Sequence, residues 1–353
     1  MVLYLISIPA FARMYNVSCN LCHVAYPKLN RFGNHFADIG YYFQGKQEEV
    51  YTDAPDDNLK IFKHPPFAVR IVQNLVAQYD KEDKGIFLDF ESPILTKILF
   101  GGALGKNLSL YSYIVFEKGE APFFEDAWVD IHELFNLPIS ITIGQFQIAD
   151  LMFLRETRLT QADFYIYKLK PYPITYHRGI LFGTPFFDLG VVNGNGVGQM
   201  VGNFFDNNVQ KWYFGRIPLP FESGIFFLWG EEDNPYTQIY RFGFDWKGEF
   251  GSFYPFAQIM VGWDGKDRND RTNNFFGGFL GIDNTLNEKL VLSLLFNYVD
   301  TQDSSSWYYS QRMLRPAGRI SYYILRNAKT FLEVEGDAFN GWVKITTGVD
   351  YSF

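Results

Sequence analysis

Apolar and polar side chains alternate along the chain from about residue 67 to its end. Stretches of about 9 to 13 residues with this period of two are separated by clusters of Gly, Asn, Asp and Pro, which is typical of β-strands with two unlike faces. In the last stretch, odd-numbered positions from Val343 to Phe353 carry the apolar face and even-numbered positions from Lys344 to Ser352 the polar one. The pattern predicts an all-β fold over this part of the chain.

Sixteen candidate strands can be counted, and fourteen or eighteen would also fit the pattern. The alternation is weakest over residues 79–93 and at Pro255. The predicted strands are long enough to cross a bilayer at a tilt, which takes about 9–11 residues. They start near residues 67, 94, 108, 124, 138, 158, 178, 211, 222, 237, 251, 273, 288, 312, 328 and 342.

Two kinds of connection separate the predicted strands. Very short turns, at residues 248–250, 286–287 and 340–341, contrast with long polar loops at 264–272 and 301–310. A soluble sandwich also alternates, but short turns on one side and long loops on the other are the asymmetry of outer-membrane barrels. We therefore predict a transmembrane antiparallel β-barrel of about 16 strands in the lipid membrane at the cell surface, the outer membrane.

Composition supports a barrel and excludes other classes. Aromatic residues make up 19% of the 353 positions, enough to supply the aromatic girdles of a barrel and too many for a disordered chain. The formal charge of −8 argues against a nucleic-acid partner. Transmembrane helices need apolar runs of about 18 residues, and the sequence has none. The terminal Phe353, in phase with the apolar face, resembles the assembly signal of outer-membrane barrels.

The first twelve residues are mostly apolar and end in Ala10-Phe11-Ala12. This is typical of an export signal with an A-x-A-like cleavage site, although the positively charged front is missing. A buried N-terminal strand is the alternative. The sequence therefore predicts a truncated signal peptide at 1–12, a small helical segment at 13–62 and the barrel at 63–353.

The two cysteines of the chain, Cys19 and Cys22, are followed directly by His23. C-x-x-C-H is the attachment motif of c-type haem, in which two thiols bind the porphyrin and the histidine binds its iron. A zinc site would need two more nearby ligands, and a thioredoxin-like motif would need a βαβ context. We predict one covalent haem c, attached outside the cytoplasm at Cys19 and Cys22 with His23 as an iron ligand.

The second ligand of the iron is less well defined. An electron-transfer haem usually has a His or Met opposite the proximal His. His35 is our first choice for this metal ligand, and a surface position on a short helix is its alternative interpretation. His64, Met14 and Met152 are further candidates. An open sixth position would favour ligand or peroxide chemistry.

The residues around the motif resemble a known family, the outer-membrane monohaem cytochrome–porin fusions, which include ferrous-iron-oxidising cytochromes. The resemblance covers residues 11–43 and implies haem attachment at Cys19, Cys22 and His23, with an outer-membrane barrel following. It does not extend to His35, and relatives need not all oxidise iron. The residues that carry the resemblance are Phe11-Ala12-Arg13, Cys19 to His23, Pro27, Leu29, Phe32-Gly33, Phe36 and Gly40-Tyr41.

On this interpretation the polar strand faces line the barrel interior. Three carboxylates on one face, Glu333, Glu335 and Asp337, have the chemistry to guide cations, but a solvated porin wall explains them more simply. Gly144 to Gln147, followed by Arg155, Arg158 and Asp163, suggests a loop that folds inward. The other candidate lumen residues are Asp126, Asp130, His132, Arg241, Asp245, Arg319, Lys344 and Asp350.

A barrel of sixteen strands leaves an aqueous channel, and we expect the haem segment to enter it as a plug. The predicted function is electron transfer through the haem, between an extracellular donor such as Fe²⁺, or an acceptor, and a periplasmic c-type cytochrome. A first alternative is a diffusion porin whose haem segment seals or gates the pore. A second is an enzyme, a peroxidase or gas-binding haem with an open sixth position.

Overall fold

The computed structural model describes most of the chain. The predicted signal peptide lies outside the described residues up to residue 9, and Ala10 to Ala12 belong to the first helix. The described positions are 10–56, 60–64, 66–82, 84–170, 172–197, 205–206, 208–233, 236–266, 272–301 and 312–353.

Residues 10–62 form a small N-terminal segment with little regular structure. It consists of the helices α1 (Ala10–Tyr15) and α2 (Arg31–Asp38), the hairpin of β1 (His23–Ala25) and β2 (Lys28–Leu29), and 3-10 turns at Cys19–Leu21 and Gln47–Val50. No helix in the described part of the chain has the length and apolar character needed to cross a membrane.

The described residues after this segment contain sixteen antiparallel strands that form a closed barrel. Each strand pairs with the next, and the last strand pairs with the first, so the predicted fold class is confirmed. The strands are β3 (Phe67–Asp80), β4 (Gly85–Ala103), β5 (Leu108–Glu117), β6 (Phe123–Ile131), β7 (Ser140–Gln147), β8 (Tyr176–Gly183), β9 (Asp188–Val192), β10 (Trp212–Leu219), β11 (Ser223–Asp233), β12 (Tyr236–Lys247), β13 (Phe253–Lys266), β14 (Thr272–Thr285), β15 (Leu290–Thr301), β16 (Arg312–Leu325), β17 (Ala328–Asp337) and β18 (Trp342–Ser352).

The count of sixteen is right, but one predicted strand is absent, one strand was missed and one starts at a different position. The strand predicted near residue 158 is wrong, because residues 148–175 fold into the barrel and their apolar side chains pack there instead of pairing in the sheet. The strand missed in its place is β9, whose five residues are too few for alternation to stand out. β4 also starts nine residues before the predicted position 94, since Pro93 interrupts its pattern.

The predicted faces of the strands are confirmed. On β15, Leu292, Leu294 and Phe296 point outward, while Val291 and Ser293 are buried inside. The same alternation holds on β12, β17 and β18, and their polar faces line the interior as predicted. An apolar band around a closed barrel is a surface suited to lipid, so the protein is a barrel of the cell outer membrane.

The two ends of the barrel differ in the length of their connections. The turns that follow even-numbered strands are short and lie at the same end as the N-terminal segment and the C-terminus. This is the periplasmic end by the usual asymmetry of such barrels. The opposite, extracellular end carries the long connections from β7 to β8 and from β9 to β10. The short turn at Asn340 and Gly341 also lies at the extracellular end. The length of a turn alone therefore does not show at which end of the barrel it lies.

Arginine in the middle of the outward face should destabilise the barrel. Leu294 lies at the centre of β15 and is 47% exposed. Leu294→Arg places a charge in hydrocarbon, which costs about 2–4 kcal/mol in transmembrane barrels. The measurement is denaturant unfolding in lipid vesicles. The matched control is Leu286→Arg in a periplasmic turn, and an equal loss in both variants would contradict the assignment of Leu294 to the bilayer.

Candidate functional site

The Cys-x-x-Cys-His motif forms a compact turn at the periplasmic end of the barrel. Cys19 begins a 3-10 turn, and the amide of Cys22 donates to the carbonyl of Cys19 over 3.2 Å. Both thiols are half-buried and unbonded. Burial raises the pKa of Cys19 and raises that of Cys22 to about 11. The surroundings therefore favour the uncharged thiol over the thiolate. The sulfur of a thioether, the link that would hold a haem, is also uncharged.

His23 is held in one orientation and one tautomer. Its Nδ1 lies 3.0 Å from the carbonyl oxygen of Pro27, and because a carbonyl only accepts, Nδ1 must carry the proton. The lone pair is therefore on Nε2, the ring atom that a metal ligand uses when the other nitrogen bonds to the backbone. Burial lowers the pKa of His23, which also keeps the ring neutral. A neutral ring with an unprotonated Nε2 fits a residue that would bind the iron of an attached haem.

Asn30 and Gly33 clamp the motif, and sequence reasoning missed the role of Asn30. The side-chain amide of Asn30 donates to the carbonyl of Leu21 over 3.0 Å, and its amide oxygen caps α2 by accepting from the backbone of Gly33. The backbone amide of Asn30 donates to the carbonyl of Cys22 over 2.9 Å. A Cβ on Gly33 would lie 2.1 Å from that same carbonyl oxygen. Asparagine directly before a helix is a signal for an N-cap, and this signal could have identified Asn30 from the sequence.

One side of the segment packs against strands β4 to β6. Gly40 lies so close to His132 that a Cβ would meet the ring Nε2 at 1.8 Å. The Tyr41 ring lies between Phe11, at 4.8 Å, and Tyr111 of the wall, at 5.8 Å. These contacts fix the segment inside the periplasmic opening.

The other side of the segment is fixed to strands at the seam where the barrel closes. The backbone carbonyl of Tyr26 accepts from the Tyr323 hydroxyl at 2.6 Å and the Lys329 ammonium at 2.9 Å. The Tyr26 hydroxyl hydrogen-bonds Ser352 on the last strand. Lys28 forms an ion pair of 2.6 Å with Asp283. The segment therefore spans the opening from wall to wall.

Residues 148–175 form the predicted inward loop, which we call the inner loop. Asp163 organises it, with Lys168, Arg155 and Arg158 at 2.5, 2.6 and 2.9 Å. Burial alone would raise the pKa of Asp163, but the three cations hold it well below its usual range. Arg155 and Arg158, two of the residues that suggested this loop in the sequence, therefore form ion pairs with Asp163, the third.

The carboxylate row on β17 binds the inner loop and neighbouring cations. Glu333 accepts from the backbone amides at 161 and 162 over 2.7 and 2.8 Å, and Arg319 lies 3.3 Å away. Glu335 accepts from Tyr165 and pairs with Lys344, while Asp337 pairs with Arg315. The row therefore has a structural role that explains its charge without a bound cation.

The inner loop packs against the apolar inner faces of β10 to β16. Phe164 stacks on Phe279 at 4.1 Å, and Ile166 and Tyr167 are fully buried beside them. This forms a hydrophobic core inside the barrel, an arrangement unlike the polar interior of a water-filled porin. The wall residues of this core are Phe146 on β7, Val192 on β9 and, on β10 to β16, Trp212, Phe214, Phe226, Leu228, Ile239, Phe256, Met260, Phe275, Phe279, Leu295, Val299, Met313 and Ala317.

The opposite wall, formed by β3 to β6, faces the inner loop with charges. Lys97 lies 2.8 Å from both Glu125 and Glu156, and Arg70 lies 4.0 Å from Glu156. Burial would raise the pKa of Glu156, but Lys97 and Arg70 lower it to about 2. The charged side chains between loop and wall are thus joined in ion pairs.

A cavity of about 1510 Å³ lies between α2, the inner loop and the periplasmic turns. His35 is exposed on α2 and lines it, as does Met152 of the inner loop. Of the other candidates for a second iron ligand, Met14 is buried among the aromatic rings of the segment and His64 is on the surface. The described residues hold no group of three or more metal-ligating side chains. His35 as a ligand stays a prediction.

Comparison with solved structures finds outer-membrane porins. The fold of this chain is that of a porin. An anion-selective porin from Comamonas acidovorans matches with a TM-score of 0.60 and 10% identity, over 81% of this chain and 98% of the porin. OmpF of Salmonella typhi, in a complex with daunomycin, matches with a TM-score of 0.59 and 10% identity, over 86% and 100%. A loop-deletion mutant of OmpT from Vibrio cholerae matches with a TM-score of 0.57 and 10% identity, over 81% and 98%.

Identity this low shows the porin fold alone. No protein-family model and no curated protein matches the chain. The motif of the N-terminal segment is therefore interpreted from its own residues.

A methyl group on Gly33 should disrupt the motif. Gly33→Ala forces its Cβ against the carbonyl oxygen of Cys22, and overpacking of this kind typically costs about 1–3 kcal/mol. We expect the segment to become accessible to protease added from the periplasmic side, with the barrel intact. Gly105→Ala is the control for adding a methyl group, because Gly105, in the turn after β4, has open space around it. Equal protease resistance of both variants would contradict the clamp.

Removing the charge of Asp163 should release the inner loop. Asp163→Asn leaves three cations without their partner, and breaking a buried ion pair typically costs about 3–5 kcal/mol. We expect higher single-channel conductance in planar bilayers, since the loop would leave the lumen. The control is Glu222→Gln, because Glu222 pairs with Lys247 at the exposed surface. An unchanged conductance in Asp163→Asn would contradict this role.

Proposed function

We propose that this outer-membrane barrel is an electron-transfer cytochrome with one covalent haem c. Cys19 and Cys22 would hold the haem, and His23 would bind its iron. The observation that carries the proposal is the hydrogen bond from His23 Nδ1 to the Pro27 carbonyl, directly after a Cys-x-x-Cys turn. It leaves Nε2 of the histidine unprotonated, so that this atom would bind the iron if a haem were attached.

The filled lumen supports the same proposal. The hydrophobic core of the inner loop and the N-terminal segment both occupy the interior. An electron carrier needs no open path for solutes through its interior. The chemistry that a bound haem would supply is reversible one-electron transfer at its iron.

The chain's own residues set the conditions for that chemistry. Asn30 and Gly33 hold the turn, the Pro27 carbonyl orients His23, and partial burial keeps the ring of His23 neutral. His35, which lines the adjacent cavity, is the residue we propose as the second ligand. The periplasmic position of the segment supports exchange with a soluble periplasmic c-type cytochrome. The proposed extracellular partner is a redox donor such as Fe²⁺, or an acceptor.

The second candidate function is a diffusion porin whose N-terminal segment seals or gates the pore. The porin fold favours it more directly than it favours electron transfer, because the solved structures that match are porins. The cavity of about 1510 Å³ near the periplasmic opening also favours it. The ion pairs along β3 to β6 would then line a narrow path.

Spectroscopy of protein purified from the outer membrane tests the proposal. In a host that attaches c-type haem, we expect one haem per chain by pyridine haemochrome analysis, and reduction of the haem on anaerobic mixing with Fe²⁺. Cys19→Ala with Cys22→Ala should lose the covalent haem and keep the barrel. Absence of haem from the unaltered protein would overturn electron transfer and leave the diffusion porin.

Two further measurements separate the candidates. Free passage of small solutes through the haem-loaded protein in a liposome-swelling assay would favour the diffusion porin. His35→Ala should convert a six-coordinate spectrum to a five-coordinate one, with His64→Ala as the matched control on the surface. An unchanged spectrum in His35→Ala would exclude His35 as the second ligand.

A further inference from the structure

A cleft of about 780 Å³ lies on the outer face of the wall formed by β6 to β9. Phe124 and Ile143 line it, and both face outward, with 52 and 50% of their surface exposed. Val197 and Phe205, from the connection between β9 and β10, also line the cleft and form its extracellular side. We call this feature the outer cleft. It lies on the membrane side of the wall, apart from the cavity near the periplasmic opening.

Arg178 of β8 faces the outer cleft. It lies two residues before Ile180, which points outward and is 47% exposed, and alternate residues of a strand share one face. The residue between Tyr176 and Arg178, His177, points the other way and contacts Trp212 in the lumen. The carbonyl of Arg178 accepts from the amide of residue 193, directly after the end of β9, over 3.0 Å. Arg178 therefore lies near the extracellular rim of the outward face.

The guanidinium of Arg178 has an aromatic neighbour but lacks an anion. Its central carbon lies 4.2 Å from the centre of the Phe205 ring. The buried Nη1 has no hydrogen-bond partner among the described residues. Gln145 is opposite Arg178 in the sheet, but its side-chain nitrogen donates to the carbonyls of Phe124 and Glu125 instead. The protein thus leaves a donor of a cationic side chain unused in the outer cleft.

The neighbouring connection does not supply the missing anion. By sequence, residues 193–211 contain one carboxylate, Asp206, and it pairs with Lys211 at 2.7 Å. Charged side chains at a lipid-facing surface are rare, and they pair with another group or mark a binding site. The cost of such a charge is lower near the headgroups than at the centre of the bilayer. The position of Arg178 near the rim therefore suits a side chain that meets an anionic headgroup.

We propose that the outer cleft binds a lipid of the outer leaflet whose headgroup carries phosphate. A guanidinium presents its donors in a fork that matches the oxygens of a phosphate, so one phosphate would supply both the charge and the partner that Nη1 lacks. Basic pockets on the membrane-facing surface of proteins bind anionic lipids by the same chemistry.

The apolar lining favours a lipid over a soluble anion. Ile143 is opposite Ile180 in the sheet, on the membrane side of Arg178, and Phe124 and Ala127 line the cleft beside them. These side chains continue the outward apolar band of the barrel and give an acyl chain a surface on which to pack. A single molecule with an acyl chain and a phosphate would cover the apolar lining and pair with the guanidinium.

Native mass spectrometry of the full-length protein in mild detergent tests the proposal. Lipid A, a phosphorylated glycolipid, and phosphatidylethanolamine, a zwitterionic lipid, are added in equal amounts to delipidated protein. We expect one lipid A per chain, bound in preference to phosphatidylethanolamine. Equal occupancy by the two lipids, or no retained lipid, would overturn the proposal.

The charge of Arg178 should account for this preference. Arg178→Gln should bind lipid A about tenfold more weakly or worse, since a charge-assisted hydrogen bond is lost. Arg312→Gln is the matched control, because Arg312 also lies at the extracellular end but already pairs with Asp300 at 2.9 Å. Resistance to SDS without heating checks the folding of both variants. Unchanged binding in folded Arg178→Gln, or equal weakening in both variants, would contradict the site.

A further variant separates a lipid site from a site for free phosphate. Ala127→Trp fills the apolar side of the outer cleft and leaves Arg178 unaltered, so lipid A should no longer be retained. Leu294→Trp, outward on β15, is the control for adding an indole ring and should retain it. Inorganic phosphate in excess should not displace lipid A from the unaltered protein, because it has no acyl chain. Displacement by phosphate, or full retention by Ala127→Trp, would show that the cleft does not bind a lipid as proposed.

Discussion

The need to pair every backbone amide and carbonyl inside a lipid membrane determines this structure. Strands that cross a bilayer cannot leave an edge, so the chain closes its sheet by pairing β18 with β3. A barrel of sixteen strands encloses an interior too wide for its own wall side chains to fill. The inner loop and the N-terminal segment occupy part of that volume, with apolar packing on one side of the lumen and ion pairs on the other, and a cavity of about 1510 Å³ remains between them.

The filling segments are held by different interactions. The inner loop is bound by buried ion pairs around Asp163 and by hydrophobic packing on β10 to β16. The N-terminal segment is bound mainly by hydrogen bonds and aromatic contacts at the periplasmic rim. The Cys-x-x-Cys-His turn lies in the second of these, where short local contacts from Pro27, Asn30 and Gly33 shape it. The proposed haem chemistry therefore depends on a turn whose shape is set by residues close to it in the sequence. The barrel around that turn depends on pairing between strands along the whole chain.

Local pattern explains what could be predicted from the sequence. Alternation identified the outward faces of β12, β15, β17 and β18, and spacing identified Cys19, Cys22 and His23 as a candidate haem site. The strand misplaced near residue 158 shows the limit, because buried apolar residues of the inner loop imitate alternation without pairing. The contacts of Tyr26 could not be predicted, since Ser352 is 326 positions away and meets it only through barrel closure. The role of Asn30 could have been predicted, because the sequence shows an asparagine directly before the short helix that it caps.

The contacts of Tyr26 also constrain the order of biogenesis. Tyr323, Lys329 and Ser352 come from the last three strands of the chain, and they surround Tyr26 only after those strands have taken their places. The N-terminal segment precedes the barrel in the chain, but its docking through Tyr26 requires the last three strands. Until those strands are in place, the turn that carries Cys19, Cys22 and His23 lacks the contacts that tie Tyr26 to the wall.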